Sequence, residues 1–312
     1  MQRLIAVIGP TAVGKTRLSI DLARLLQTEI ISGDSMLVYR GMDIGTAKPG
    51  IEERNGIVHH LIDILEPHEE FSVTQFIQLA GQHIAKINSD GRIPILAGGT
   101  GLYVKALLEG YRFNTTPGDT GYRDKLMLLA QTRGNAYLHS LLSEVDPLTA
   151  ARLHANDIRR IIRALEVYHL GGENISQQKQ AGSNQLIYDA LVIGLTMNRQ
   201  RLYERINQRV DIMLAQGLVE EVSALQDAGL SPSCQSMKGI GYKEIAASLR
   251  GEISLTTAID TIKQSTRHFA KRQLTWYNKM PYIKWFDVDY TKDYENLLGI
   301  IYKYIAGKFC LK

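Results

Sequence analysis

The string Gly9-Pro10-Thr11-Ala12-Val13-Gly14-Lys15-Thr16 fits the pattern G-x-x-x-x-G-K-[ST] without a mismatch. Its context gives the match mechanical meaning. Leu4-Ile5-Ala6-Val7-Ile8 before it is an uninterrupted apolar run of strand length. Residues 15–26 after it carry Leu18, Leu22 and Leu25 at helical spacing. Strand, glycine-rich turn and helix in this order converge backbone N–H groups at a helix N-terminus, which is an anion site. Lys15 adds a point charge for phosphate oxygens, and the Thr16 hydroxyl suits Mg²⁺.

Such a unit belongs to a larger alternating frame. Residues 29–32 and 93–97 read as further short strands, and residues 72–88 as a helix with Ser72 as N-cap. Strands alternating with helices predict an α/β fold with a parallel sheet covered on both faces. From about Tyr111 the pattern changes. A turn-rich stretch, Asn114-Thr115-Thr116-Pro117-Gly118-Asp119, leads into helical periodicity to about His169, then a Gln-rich polar segment over 171–184. The apolar run 190–195 reads as a strand returning to the sheet, and 282–288 as a late strand. The expected organisation is a P-loop core of 1–111 and 189–312, interrupted by a helical insertion over 112–188.

Bulk composition narrows the class without naming it. Hydrophobic content of 45% and charged content of 22% over 312 residues suit one large or two modest globular domains. Cys234 and Cys310 are the two cysteines and have no metal-ligand spacing, which points away from zinc or a disulfide framework. No apolar run approaches the roughly 20 residues that cross a bilayer, and no signal peptide is expected before the first strand. A cytoplasmic protein with no membrane partner is expected. Nothing in the sequence demands an oligomer, so a monomer is expected.

The loop leaves open which phosphate compound binds. ATP or another nucleotide is the base-rate expectation, and an acid closing a later apolar strand would support it. The run 93–97 instead ends in Gly98-Gly99-Thr100, while Asp63 follows only the short run after His59-His60. Asp34, in Ile30-Ile31-Ser32-Gly33-Asp34-Ser35, falls just past the carboxyl end of the second strand, the edge where ligands bind. It can take a proton or hold a cation there, or it can cap the next helix. Thr100 occupies the same edge with the same two readings, a phosphate donor or a helix cap.

Charge is unevenly distributed around a net +4. Between Asp260 and Asp287 there is no acidic residue, and Lys263, Arg267 and Lys271 are spaced by four. Arg159, Arg160 and Arg163 form a second cluster, and Arg201, Arg205 and Arg209 a third. Basic helix faces are most often simply solvated. Three of them beside a phosphate loop raise nucleic acid as a partner. Trp276 and Tyr277 read as core residues more readily than as stacking platforms.

Taken together, the phosphate loop, the string Asp34-Ser35-Met36-Leu37-Val38-Tyr39-Arg40-Gly41-Met42-Asp43-Ile44-Gly45-Thr46-Ala47-Lys48-Pro49 and Gly98-Gly99-Thr100 resemble the bacterial tRNA dimethylallyltransferases. Asn156-Asp157 with Arg159, Arg160 and Arg163, the stretch 239–244 and the stretch 266–276 extend the resemblance over essentially the whole chain. The resemblance implies transfer of a dimethylallyl group from dimethylallyl diphosphate to N6 of adenine 37, next to the tRNA anticodon. In it the P-loop residues Gly9, Pro10, Thr11, Ala12, Val13, Gly14, Lys15 and Thr16 hold the prenyl diphosphate. Asp34 matches the general base, Thr100 a threonine near the diphosphate and the amine, and Arg205 an arginine that grips the diphosphate; Lys15 completes the catalytic set. Mg²⁺ on Thr16 is the implied cofactor. The implied contacts to the anticodon stem-loop are Asp34, Ser35, Met36, Leu37, Thr100, Arg123, Arg159, Arg160, Ile161, Ile162, Arg163, Lys238, Gly239, Ile240, Gly241, Tyr242, Lys243, Lys271, Arg272, Gln273 and Trp276.

Three positions depart from the family pattern. Gly33 stands where a larger residue commonly precedes the aspartate, Leu37 replaces a frequent Gln, and Arg159 replaces a Gln. The departures bear on contacts to the target base. The chain carries no zinc-finger extension of the kind found in eukaryotic relatives, which implies a bacterial type. The competing readings are an ATP-dependent small-molecule kinase, a prenyltransferase acting on free adenine nucleotides, and a non-catalytic RNA-binding protein with a vestigial loop.

Overall fold

The computed structural model describes residues 1–111, 113, 118–171, 184–290 and 293–311. Among the described residues six strands, β1 (Arg3–Ile8), β2 (Ile30–Ser32), β3 (His59–His60), β4 (Ile95–Gly98), β5 (Asp189–Thr196) and β6 (Ile283–Asp287), form one sheet in the order β3-β2-β4-β1-β5-β6. Every pairing is parallel, with Ile5 opposite both Ile95 and Leu191. The strand alternation divides the core. Leu4, Ala6 and Ile8 face one apolar layer, while Ile5 and Val7 face the other, and all five are fully buried.

The helices over the sheet are α1 (Lys15–Leu25), α2 (Ile51–Arg54), α3 (Val73–Ser89) and α4 (Gly101–Leu108). α3 begins as the sequence predicts. Ser72 Oγ accepts from the Gln75 amide and the Gln75 side chain returns to the Ser72 amide, a complete capping box. The chain leaves β1 toward β2 and leaves β4 toward β5, so β1 and β4 are adjacent strands with opposite onward connections. That switch point is the place where an open α/β sheet binds ligands.

Two compact units divide the chain, Met1–Gly110 with Asn184–Lys312, and Tyr111–Ser183. The second unit contains α5 (Thr120–Arg133), α6 (Asn135–Val145), α7 (Pro147–Ala150) and α8 (Ile158–His169) around Leu126, Leu138, Leu142, Ile161, Ile162 and Leu165. The first unit resumes before the expected boundary, because the Ile187 amide bonds Leu108 O and Leu186 and Tyr188 pack on its core. Most of the Gln-rich segment and part of the turn-rich stretch before α5 lie outside the described residues. After β5 come α9 (Arg199–Ala215), α10 (Leu218–Asp227), α11 (Tyr242–Leu249), α12 (Leu255–Tyr277) and α13 (Tyr294–Phe309).

Candidate active site

The phosphate loop is held open by backbone that only certain residues tolerate. Gly9 has φ 148°, and a Cβ there would lie 2.6 Å from Leu195 O on β5. Gly14 at φ 106° then turns the chain into α1, whose first turn carries no acidic side chain to occupy its N-terminus. Lys15 Nζ donates to Pro10 O at 2.8 Å, so the ammonium lies across the loop it serves. Burial pushes its pKa down to about 7, helped by nearby Arg209 and opposed by Asp34.

Asp34 follows β2 as expected, at the same edge of the sheet. Its Oδ1 accepts from the Met36 amide at 2.8 Å, which makes a local turn and caps no helix. Thr100 precedes α4 at the cap position, yet its hydroxyl makes no cap bond. Thr100 Oγ1 instead accepts from the Ser35 amide at 3.1 Å. The turns after β2 and β4 therefore meet. A Cβ on Gly98 would stand 2.4 Å from Gly33 O, so glycine at 98 is what allows this contact.

Behind the loop, Lys15, Thr16, Asp34, Ser32, Ala97, Leu37, His59 and Ile62 line a narrow pocket of about 110 Å³. It shares Lys15, Thr16 and Arg209 with a cleft of about 860 Å³ lined also by Gly14, Arg17, Arg205 and Gln208. Ser35, Met36, Thr100, Lys238, Gly239, Ile240, Gly241, Tyr242, Lys243 and Arg272 line a second cleft of about 390 Å³, which shares Asp34 with the narrow pocket. Arg209 lines all three spaces. In sequence it stands out only as part of a basic face. Its spacing of four from Arg205 on α9 was the available signal.

Several expected contact residues are buried or already engaged by other groups of the protein. Ile161 and Ile162 are buried in the core of the insertion, whereas Arg159 and Arg160 on the same helix are exposed. Arg123 and Arg163 both bond the carboxylate of Glu166, which is fully buried. Burial opposes that charge, yet the bonds from Arg123 and Arg163 lower the Glu166 pKa. Tyr242 is buried with its hydroxyl on Glu221 at 2.6 Å. Gln273 is only 4% exposed and bonds two backbone groups, while Lys271 and Arg272 beside it are exposed. Trp276 packs against Gly101, where a Cβ would meet its ring at 2.3 Å.

The acid-free stretch on α12 is less free than its sequence suggests. Lys263 pairs with Asp211 of α9, and Arg267 donates to Asn207 of the same helix. Arg201 pairs with Asp289. Asp63, the alternative strand-end acid, is held by Lys48 and Arg54. Lys48, whose side chain is 3% exposed, also bonds Tyr39 O and Asp43, so it clamps the long string that carries the resemblance. Glu221 anchors the same string, accepting from the amides of Asp43, Ile44 and Gly45. The Glu221 anchor has no local signature, since it joins residues more than 170 positions apart.

Thr16 is the expected metal ligand. Among the described residues no group of three or more His, Cys, Asp or Glu is arranged to hold a metal ion. A lone hydroxyl beside a phosphate nest still fits Mg²⁺, which keeps several waters and takes its remaining ligands from substrate phosphates.

Among the described residues no helix is long and apolar enough to cross a membrane. The family profile described as IPP transferase matches residues 37–280. A tRNA dimethylallyltransferase of Bacillus anthracis is 50% identical over 311 residues, covering 100% of this chain and 98% of that protein. The crystal structure of the tRNA isopentenylpyrophosphate transferase of Bacillus halodurans superposes with a TM-score of 0.75 at 46% identity, covering 99% of this chain and 97% of that one. A eukaryotic dimethylallyltransferase acting on tRNA superposes with a TM-score of 0.81 at 29% identity, covering 98% and 80%. With the profile spanning most of its length and a relative half identical from end to end, the chain belongs to the IPP transferase family, the tRNA dimethylallyltransferases.

Proposed function

We propose that this protein transfers the dimethylallyl group of dimethylallyl diphosphate to N6 of adenine 37 in tRNA. The observation that carries the reading is Asp34 in the wall shared by the phosphate pocket and the cleft of Lys238 and Lys243. A carboxylate there faces a donor on one side and an acceptor on the other.

The exocyclic amine of adenine is a weak nucleophile because its lone pair is delocalised into the ring. The donor carbon must therefore be a strong electrophile. Lys15, Arg205, Arg209 and the loop amides oppose the charge that builds on the departing diphosphate, a preorganised field of the type that dominates many enzymes. As the N6–C1 bond forms, the C1–O bond to diphosphate breaks and Asp34 takes the N6 proton. Thr16 would hold Mg²⁺, which supplies further neutralisation of the diphosphate when bound.

A stacked adenine cannot reach this pocket, so the base is flipped out and enters past Met36 and Gly239. Lys238, Lys243, Lys271 and Arg272 hold the anticodon loop by its phosphates, and Arg159 and Arg160 offer further contacts on the insertion. The enzyme acts as a monomer in the cytoplasm, a setting that suits its two free cysteines.

The test is incubation with unmodified tRNA, dimethylallyl diphosphate and Mg²⁺, followed by nucleoside mass analysis. A gain of one dimethylallyl group on adenosine without ATP is expected. Unmodified nucleosides together with ATP turnover on a metabolite would favour a kinase instead.

A further inference from the structure

We propose that Gln273 is a positioning residue that locks the phosphate loop to the turn after β4, keeping the donor in line with Asp34 and Thr100. The proposal deepens the prenyl-transfer reading and rests on it. The Lys271-Arg272-Gln273 string splits at its last residue. The two cations are exposed on α12, and the amide is 4% exposed and points inward.

Gln273 Oε1 accepts from the Thr11 amide at 2.8 Å, and Nε2 donates to Gly99 O at 2.8 Å. One amide thus joins two loops that are 262 and 174 residues away in sequence. Thr11 lies between Gly9 and the turn into α1, and Gly99 leads directly to Thr100. Neither backbone group belongs to a strand ladder, so each depends on a side chain for its partner. A Cβ on Gly99 would lie 2.5 Å from Nε2, so the glycine makes room for the amide. The same point lies 3.8 Å from Lys15 Nζ, beside the phosphate cation.

The helix behind Gln273 is itself fixed. Ala270 and Tyr277 on α12 are fully buried, and Trp276 packs on Gly101. Glutamine meets the requirement on both counts, being neutral next to the diphosphate site and both donor and acceptor at its tip. A carboxylate would keep the Thr11 bond, lose the Gly99 bond and add a negative charge beside Lys15.

The experiment measures the KM of dimethylallyl diphosphate, the KM of tRNA, and binding of inorganic pyrophosphate and unmodified tRNA for Gln273→Met and Gln273→Glu. For Gln273→Met the donor KM should rise and pyrophosphate binding weaken by about tenfold, the scale of one to two net hydrogen bonds. The tRNA dissociation constant should stay within about twofold, since the side chain is buried. For Gln273→Glu the donor KM, taken as a ratio to wild type at the same pH so that the Lys15 titration cancels, should rise further at pH 8 and recover as the pH falls toward 5.5, where the carboxyl regains its proton; the same ratio for the Met variant should stay flat. Unchanged donor KM and pyrophosphate affinity, or a loss confined to tRNA binding, would overturn the proposal. If Gln273→Met does not fold, Gln273→Glu and its pH profile decide the matter. Failure of wild-type protein to prenylate any tRNA would remove the reaction assignment, while the pyrophosphate measurements would still test the lock.

Discussion

Thr100 Oγ1 accepts a hydrogen bond from the backbone amide of Ser35, joining the turns that follow β4 and β2. The next amide, that of Met36, bonds Asp34 Oδ1. Asp34 is thereby oriented at the boundary of the pocket behind the phosphate loop, which suits the base role proposed for it.

Asp34→Ala should retain tRNA binding and lose about 10²–10⁴ in single-turnover rate, the usual worth of a general base. Thr100→Ala, which frees Ser35 without touching the carboxylate, should cost about tenfold, and Thr100→Ser should restore most of it. Rapid-quench measurement at saturating donor and tRNA checks both. Wild-type turnover in Asp34→Ala would remove it from the mechanism.

Lys15 gives donor binding a distinctive pH profile. The diphosphate prefers the ammonium form, and burial with Arg209 has pushed that pKa to about 7 in the free protein. Affinity for inorganic pyrophosphate should therefore weaken as pH rises above 7, by up to roughly tenfold per unit while Lys15 governs binding. Lys15→Met should bind weakly and lose this limb. Arg209→Met should shift the limb to higher pH, because it removes a positive neighbour. Calorimetric titrations from pH 6 to 9 would show a parallel profile in all three proteins if Lys15 plays no part.

Glu166 ties the insertion's arginines to its core. Its folded pKa lies below the unfolded value, so its contribution is present above about pH 4.5 and is lost as pH falls through the lower folded pKa. Glu166→Gln should lower stability at pH 7 by about 1–3 kcal/mol, toward the lower end because both guanidiniums are partly exposed. The variant should also lose the acid-labile component of unfolding. Denaturant midpoints at pH 7 and pH 4 measure this, and equal losses at the two values would contradict it.

The cations should divide by whether protein already holds them. Lys271→Ala and Arg272→Ala should each weaken tRNA binding and reduce the log–log salt slope by about 0.7, the increment for one phosphate of a single strand. Lys263→Ala should leave the slope nearly unchanged, because Asp211 already pairs with that lysine. A reduction as large as that for Lys271 would mean that the Asp211 pair gives way to RNA.

Much of this protein was legible from local pattern. The run of residues 4–8 and the loop after it specify strand, turn and helix because each element is built from neighbours in sequence, and β1 and α1 form where those residues predict. The placement of Asp34 past β2 followed from the same alternation. For Thr100 the sequence offered a helix cap or a phosphate donor; the structure shows no cap bond and an acceptance from the Ser35 amide that neither reading contained, because a hydroxyl at a cap position points to whichever amide the fold brings near.

Contacts across the chain were not legible. Nothing local tells that Gln273 turns inward from a basic helix, that Asp211 neutralises Lys263, or that Ile161 and Ile162 sit in a core while Arg159 and Arg160 are exposed. The amino-acid sequence by itself determined the phosphate loop, the parallel α/β frame and the sheet edge that carries Asp34, since these depend on residues close together. Only the tertiary structure decided which cations remain open to a ligand and which side chains brace the loops. Those outcomes depend on burial and on partners up to 262 residues apart, where sequence spacing has no periodic signal to offer.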